Sequence, residues 1–148
     1  MIAKKIFKKG EAIFSESPIV STQFAWNKFY NYRACEFCMR PLEDALENVR
    51  RLTENSSISL PFLSQCCTTN KKSHCKCETC GVEYCSDSCR HQAFLSYHQT
   101  LCSAAKNNNT YNLIIEFWRQ IHLPLETTSI ELILKLLAII KQVIHFYF

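Results

Sequence analysis

Eight cysteine and histidine side chains form four closely spaced pairs. The pairs are Cys35–Cys38, Cys77–Cys80, Cys85–Cys89 and His98–Cys102. A C-x2-C pair is a tight turn that aims two sulfurs at one point, and i, i+4 spacing places two side chains on one helix face. Eight such ligands are enough for two tetrahedral zinc sites with Zn–S distances of about 2.3 Å. Because protein ligands would fill every position, the sequence predicts two structural Zn²⁺ ions rather than a catalytic one.

Spacing alone leaves open which pairs share a metal. Only four residues separate Cys80 from Cys85, so consecutive pairs could bind together, whereas an interleaved arrangement would join the first pair to the third and the second to the fourth. Cys35 and Cys38 are the weaker candidates, since 38 residues separate them from Cys77. No role is assigned to the cysteines outside the four pairs, Cys66, Cys67 and Cys75. Cys75 could replace Cys77 only by spoiling the C-x2-C spacing.

Composition points to an intracellular metal-binding protein, cytoplasmic or nuclear. The chain has 148 residues and ten cysteines, and its start, MIAKKIFKKGEAIF, has no continuous apolar run of the kind a secretion signal needs. In a reducing compartment such cysteines are metal ligands more often than disulfides. Two glycines and no GxGxxG or GxxxxGK[ST] motif argue against nucleotide binding. The formal charge of +4 falls to about +1 once seven thiolates and two Zn²⁺ are counted, so strong nucleic-acid binding is not expected.

The elements around these ligands predict a small α+β fold. Short strands are expected over residues 4–24 with a turn at Gly10, and a helix is expected from Pro41 onward. A long loop over 53–76 leads to one or two short helices carrying the last ligands. Two longer helices follow within residues 111–122 and 127–146, the second capped by Thr127, Thr128 or Ser129. Its polar face, which comprises Glu131, Lys135, Gln142 and His145, predicts a helix that covers a core rather than one that spans a membrane.

The order C-x2-C, C-x2-C, C-x3-C, H-x3-C resembles that of the MYND-type zinc finger, whose two sites interleave. The resemblance implies one site of Cys35, Cys38, Cys85 and Cys89 and a second of Cys77, Cys80, His98 and Cys102. A RING finger would carry a C-x-H step and end in a C-x2-C pair, and neither is found. A PHD finger would place its histidine fifth in the order, whereas here it is seventh.

The flanking sequence extends the resemblance over roughly residues 4 to 142. IFKKGEAIFSESPIV resembles the early strands of the SET domain in the SET-and-MYND family of protein-lysine methyltransferases, and FAWNKFYNYRACEFC and RQIHLPLETTSIELILKLLAIIKQ resemble a divergent member of it. The resemblance implies a partial SET domain with its aromatic lead-in over 1–34, a MYND finger over 35–102 with an insertion over 41–76, and a truncated helical insert over 103–148.

The resemblance implies that the chain is the N-terminal part of a methyltransferase that uses S-adenosylmethionine and acts on lysines of histones or other proteins. No residue matches a catalytic or cofactor-binding position of the family. The chain alone is therefore expected to be inactive, as a fragment, a short isoform or a truncated gene model, and S-adenosylmethionine is expected only for the full-length enzyme. The alternative is a free-standing MYND module that binds proline-containing peptides.

Overall fold

The computed structural model describes residues 4–102, 110–121 and 129–147. Within them, an antiparallel two-stranded sheet pairs β1 (Cys75–Lys76) with β2 (Glu83–Tyr84). The α-helices there are α1 (Ala25–Phe29), α2 (Ala45–Thr53), α3 (Leu63–Cys66), α4 (Asp87–Ala93), α5 (Thr110–Ile121) and α6 (Ile130–Tyr147). A 3-10 turn spans Lys71–Ser73 and a π-helical turn spans Phe94–His98. The predicted small α+β class is thereby confirmed.

The prediction of N-terminal strands is wrong for residues 4–24. This segment contains no strand and is largely exposed, with Ile6, Ile13 and Ile19 among its uncovered side chains. A strand requires a partner for its N–H and C=O groups, and no described segment pairs with this one. The expected turn at Gly10 does form, with the Glu11 amide donating to the Lys8 carbonyl at 3.0 Å and φ of +88° at the glycine.

Helix α2 begins four residues after the predicted start at Pro41 because Asp44 caps it. The Asp44 carboxylate accepts from the Glu47 amide, and the Glu47 carboxylate accepts from the Asp44 amide. This reciprocal pair is a capping box, which satisfies amides that have no partner within the helix. The loop that follows is only partly irregular, since it includes α3 and the 3-10 turn.

The last ligands lie on one helical stretch that runs from α4 through the π turn to residues 99–102. Ser86 caps its start, with Oγ accepting from the Cys89 amide at 3.2 Å. Cys85 precedes this cap, so Cys85 and Cys89 span the helix start instead of sharing a helix face as the spacing predicts. The π turn begins after Cys89 and ends at His98, and it therefore sets the relative direction of these two ligands.

Helix α6 packs on the metal-ligand region through its polar face. A helix that covers a core is instead expected to pack through its apolar face. The polar residues of α6 face inward: Lys135 is 1% exposed and Gln142 is 6% exposed. Many of its apolar side chains face outward, and Leu137 and Ile140 are more than half exposed, whereas Ala138 is buried. The reason is that the surface under α6 presents backbone carbonyls, which polar side chains satisfy and apolar ones cannot. The side chain of His145 and the proposed caps Thr127 and Thr128 lie outside the described residues.

The buried core is small and lies among the predicted ligands. Its buried apolar members are Cys35, Leu42, Tyr84, Ala93, Tyr97 and Ala138. Candidate ligand cysteines pack against this cluster, so the core and the proposed metal sites are one structural unit. Among the helices in the described part of the chain, none combines the length and apolar character needed to cross a membrane.

Candidate metal centres

The eight predicted ligands lie in two groups of four. In each group the candidate ligand atoms are within 4.8 Å of one another, and the groups are Cys35, Cys38, Cys85 and Cys89, and Cys77, Cys80, His98 and Cys102. This is the interleaved arrangement, with the first pair joined to the third and the second pair to the fourth. The consecutive arrangement that spacing left open is not the one adopted.

Distances between the donor atoms match a tetrahedral zinc site. The Cys85 sulfur lies 3.5 Å from Cys38 Sγ and 3.6 Å from Cys89 Sγ. In the second group, Cys77 and Cys102 have sulfurs 3.7 Å apart. Ligands about 2.3 Å from a tetrahedral zinc lie about 3.8 Å from each other, while an S–S bond measures about 2.05 Å. The nine cysteines whose side chains are described are free, so both groups could hold a metal ion such as zinc.

The single histidine also fits its position. Nε2 of His98 lies 3.6 Å from Cys80 Sγ. A zinc ion with Zn–N near 2.0 Å and Zn–S near 2.3 Å places nitrogen and sulfur about 3.6 Å apart. His98 is buried and packs edge-on against the Tyr84 ring, with centroids 5.9 Å apart. The Tyr84 ring of β2 therefore helps to hold the imidazole in position.

Both C-x2-C turns use the same backbone hydrogen bonds. The amide four residues after the first cysteine donates to that cysteine's carbonyl, from Met39 to Cys35 at 3.0 Å and from Gly81 to Cys77 at 2.8 Å. That fourth residue has positive φ in both turns, +60° at Met39 and +75° at Gly81. The shared geometry indicates that two separate segments form one type of ligand-presenting turn.

The electrostatics of the groups favour a bound cation. Burial raises the pKa of the Cys80 thiol to about 12, and burial likewise raises the pKa of Cys85. At Cys77 burial also acts to raise the pKa, but hydrogen bonds, the largest involving His98, outweigh it and lower the pKa to about 6. The four thiols of the first group, or the three of the second, cannot all ionise so close together without a compensating positive charge, and Zn²⁺ would supply one.

Among the remaining cysteines and histidines, those whose side chains the structure describes lie outside both groups. Cys75 is on β1 next to the Cys77 turn, and burial raises the pKa of its thiol. Cys67 is half-buried near the capped start of α2, and nothing is described of the Cys66 side chain. His91 is exposed on α4, as expected of a solvated histidine, whereas His74 is half-buried.

Sequence reasoning missed the residues that fix the first turn from outside. The Tyr97 hydroxyl donates to the Glu36 carbonyl at 2.9 Å, and Lys135 Nζ lies 3.0 Å from the same oxygen. On the other side of this group, Ser73 Oγ donates to the Cys85 carbonyl at 2.8 Å. Lys135 stood out in the sequence as part of a polar stripe, but its backbone partners leave no sequence signal.

A cavity of about 290 Å³ lies beside the second group. His98 and Cys102 line it, together with the rings of Tyr97 and Tyr111 from the helices on either side. Burial raises the pKa of Tyr111, so its phenol stays neutral. The cavity joins aromatic walls to the polar side chains Lys28 and Glu36, a mixed lining typical of a binding site for a small group or side chain.

Comparison with known proteins identifies relatives of high similarity. The chain is 46% identical over 145 residues to protein-lysine N-trimethyltransferase SMYD5 of Gallus gallus, 44% identical over 145 residues to that of Danio rerio, and 43% identical over 145 residues to that of Homo sapiens. Each alignment covers 96% of this chain but only 34% or 35% of the relative. The chain thus spans about a third of their length. Neither a protein-family profile nor a solved structure matches it.

Proposed function

We propose that this chain belongs to the SMYD5 family of protein-lysine N-trimethyltransferases and forms the zinc-binding N-terminal part of such an enzyme. Identity of 43–46% over 96% of the chain carries this proposal. These relatives also confirm the resemblance to a methyltransferase family that the sequence analysis predicted. The whole enzyme would move a methyl group from S-adenosylmethionine to a lysine amine of a histone or another protein.

The proposed contribution of this chain is structural. Residues 35–102 would form a MYND finger with two zinc ions, residues 1–34 would belong to the SET domain, and residues 103–148 to its helical insert. Each proposed zinc has four protein donors, so neither keeps an open position for water or substrate. The chain by itself would therefore shape and support a methyltransferase without transferring methyl groups. The free thiols suit an intracellular location, in the cytoplasm or the nucleus.

A chimaera tests whether the chain performs this role. Replacing the matching N-terminal third of the Gallus gallus relative by this chain should give a protein that methylates lysine from labelled S-adenosylmethionine. The same chimaera with Cys35→Ser and Cys38→Ser should lose most of that activity, because the first metal site would be missing. Cys67→Ser is the matched control, since this cysteine lies outside both groups.

Two results would contradict the proposal. One is a chimaera that is folded and binds two zinc ions yet transfers no methyl groups. The other is full activity in the Cys35→Ser/Cys38→Ser form. The chain alone should show no methyl transfer, and measurable transfer by it would refute the inactive assignment.

The cavity beside the second group favours a second candidate function, a MYND module that binds proline-containing peptides. Proline rings dock on aromatic surfaces, and Tyr97 and Tyr111 line this cavity. Titration with a proline-containing peptide library, followed by tyrosine fluorescence, should then give saturable binding that Tyr111→Ala weakens. Tyr30→Ala is the control, since Tyr30 is exposed and does not line the cavity. Equal binding by the two variants would exclude the cavity as the peptide site.

A further inference from the structure

The polar face of α6 contacts the segments that carry ligands of both metal groups. Glu131 accepts from Thr22 Oγ1 at 2.9 Å and pairs with Lys28, which lies in α1. Lys135 reaches the first C-x2-C turn, and Gln142 reaches the helical stretch that carries His98. Residues 131, 135 and 142 lie on one side of the helix, so these contacts form along a single face.

The buried ammonium group of Lys135 finds all of its hydrogen-bond acceptors on the surface beneath α6. Its Nζ lies 2.8 Å from the Ser21 carbonyl, 3.0 Å from the Glu36 carbonyl and 2.6 Å from Glu36 Oε1. Three acceptors match the three donors of an ammonium group, and the charge also lies 4.9 Å from the centre of the Tyr97 ring. An ammonium group that is 1% exposed would be costly without these partners, so the contact is specific. Glu36 directly follows the candidate ligand Cys35.

Gln142 plays the equivalent role at the π turn. Its Nε2 donates to the Phe94 carbonyl at 3.1 Å and to the Leu95 carbonyl at 2.8 Å. Its Oε1 accepts from the Thr100 amide at 3.2 Å. The π turn shifts the helical hydrogen bonding between Cys89 and His98, and Gln142 supplies partners there. The amide thereby fixes the helix segment between ligands of different groups.

The first C-x2-C turn has the greatest need of such support. It is joined to its partners Cys85 and Cys89 through a long insertion, and ordering that connection costs conformational entropy. Besides the proposed metal, the Glu36 amide bonds to the Glu83 carbonyl at 3.0 Å, and Lys135 adds its contacts from α6. Lys135 therefore ties the turn to an element distant in sequence.

We propose that α6 is a polar clamp that controls metal retention, with Lys135 acting on the first group and Gln142 on the second. Neither residue is a candidate ligand; both act by holding the backbone that presents the ligands. Groups that orient metal ligands from outside typically change metal affinity by about 10- to 100-fold when removed. Removing the clamp should therefore speed metal loss without removing a donor atom.

The test measures zinc release from the whole chain under excess chelator, with alkylation and peptide mapping to report which cysteines become free. Lys135→Met should speed exposure of Cys35 and Cys38 by about 10-fold or more, with a smaller effect on Cys77. Gln142→Leu should speed the exposure of Cys77 and Cys102 more than that of Cys35 and Cys38. The matched controls are Lys141→Met and Gln120→Leu, which make the same changes at exposed positions.

Glu36→Gln keeps the test informative if Lys135→Met does not fold. It removes the charge of the 2.6 Å ion pair but leaves the backbone acceptor, so it should speed release from the first group by a few-fold. Release rates in Lys135→Met or Glu36→Gln equal to those of Lys141→Met would overturn the clamp. Equal acceleration of both groups by Lys135→Met would also overturn it, because general destabilisation has no preference between the groups.

Discussion

Single residues in the two C-x2-C turns show how backbone conformation limits the sequence. Gly81 has φ of +75°, and a β-carbon built there would meet no heavy atom within 4 Å. A side chain at this position is therefore disfavoured by the backbone alone, since left-handed conformation costs non-glycine residues about 1–2 kcal/mol. Met39 accepts this cost in the equivalent turn at φ of +60°.

We predict that Gly81→Ala lowers the free energy of unfolding of the zinc-loaded protein by about 1 kcal/mol. Gly81→Asn should cost less, because asparagine tolerates this conformation better. Denaturant unfolding measures both. Gly10→Ala is the matched control, since its φ is +88° and its surroundings are equally open, but it lies in the N-terminal turn. An unchanged free energy of unfolding in Gly81→Ala would contradict this prediction, because it would mean that the turn changes its backbone conformation at no cost.

The ionisation of individual side chains predicts how the protein responds to acid. Hydrogen bonding to Arg33, aided by Lys76, lowers the pKa of Glu83 from 4.5 to about 2. A lowered folded pKa means that Glu83 stabilises the fold fully above pH 4.5 and loses this effect only between pH 4.5 and 2. Thiols that must lose protons to bind metal respond at higher pH, because protons compete with zinc.

Acid lability between pH 7 and 5 should therefore arise from zinc release. Lowering the pH over this range should weaken zinc binding by about tenfold per pH unit for each proton displaced. Glu83→Gln should lower the free energy of unfolding by the same amount at every pH between 7 and 5. The dependence of zinc binding on pH should therefore stay unchanged. Competition with a chromophoric chelator at several pH values measures the binding. A Glu83→Gln variant that abolishes the pH dependence would contradict the assignment to thiols.

Local caps determine where one helix of this protein starts, whereas polar partners distant in sequence determine how another helix packs. Helix α2 is the local case, because Asp44 and Glu47 cap it reciprocally and Lys71 pairs with both carboxylates. The D-x-x-E pattern of this capping box is present in the sequence and predicts the observed start better than Pro41 does. Helix α6 is the long-range case, because the carbonyls that bind its polar face come from segments 40 or more residues away.

Removing the α2 cap should have a local effect. Asp44→Ala is expected to destabilise α2 by about 1 kcal/mol and to speed amide hydrogen exchange over residues 45–53. Zinc stoichiometry should stay at two, since neither metal group includes α2. Asp87→Ala, at the first position of α4, is a useful comparison because it lies between the ligands Cys85 and Cys89. Loss of a zinc ion in Asp44→Ala would show that the insertion is part of the metal module.

The metal ligands, the N-terminal segment and α6 differ in how well the sequence predicts their structure. Ligand spacing together with the MYND resemblance gave the observed grouping, because a metal site restricts both residue type and separation. The expectation of strands over residues 4–24 rests on short apolar runs bounded by a turn at Gly10 and by Pro18, and these signals specify no pairing partner. The polar face of α6 was located correctly, but its direction was not. Periodicity identifies a face, while only the surface beneath it decides whether Lys135 points toward water or toward carbonyls.

In the described part of the molecule, α6 presents an apolar surface on the side opposite its polar face. The outward side of α6 includes Leu136, Leu137, Ile140, Val143 and Ile144, all at least 39% exposed. Contiguous apolar surface of this kind promotes association. The isolated chain should therefore bind hydrophobic dyes and self-associate as its concentration rises.

We predict that Leu137→Lys combined with Ile140→Glu reduces dye binding and self-association while retaining two zinc ions. Both side chains are more than half exposed, so the changes do not disturb the polar face of α6. Ile6→Lys with Ile13→Glu makes the same kind of change in the exposed N-terminal segment and should have less effect on association. Light scattering and dye fluorescence measure the outcome. Equal effects of both double variants would place the associating surface elsewhere.

Zinc stoichiometry by native mass spectrometry tests the two-site account most directly. The wild-type chain should carry two zinc ions, and Cys35→Ser/Cys38→Ser should carry one, with Cys77, Cys80 and Cys102 still protected from alkylation. That result would establish that the Cys35–Cys38 turn shares a metal with Cys85 and Cys89, although 46 residues separate Cys38 from Cys85. A double variant that still holds two zinc ions would contradict the interleaved pairing and remove the structural basis for the proposed finger.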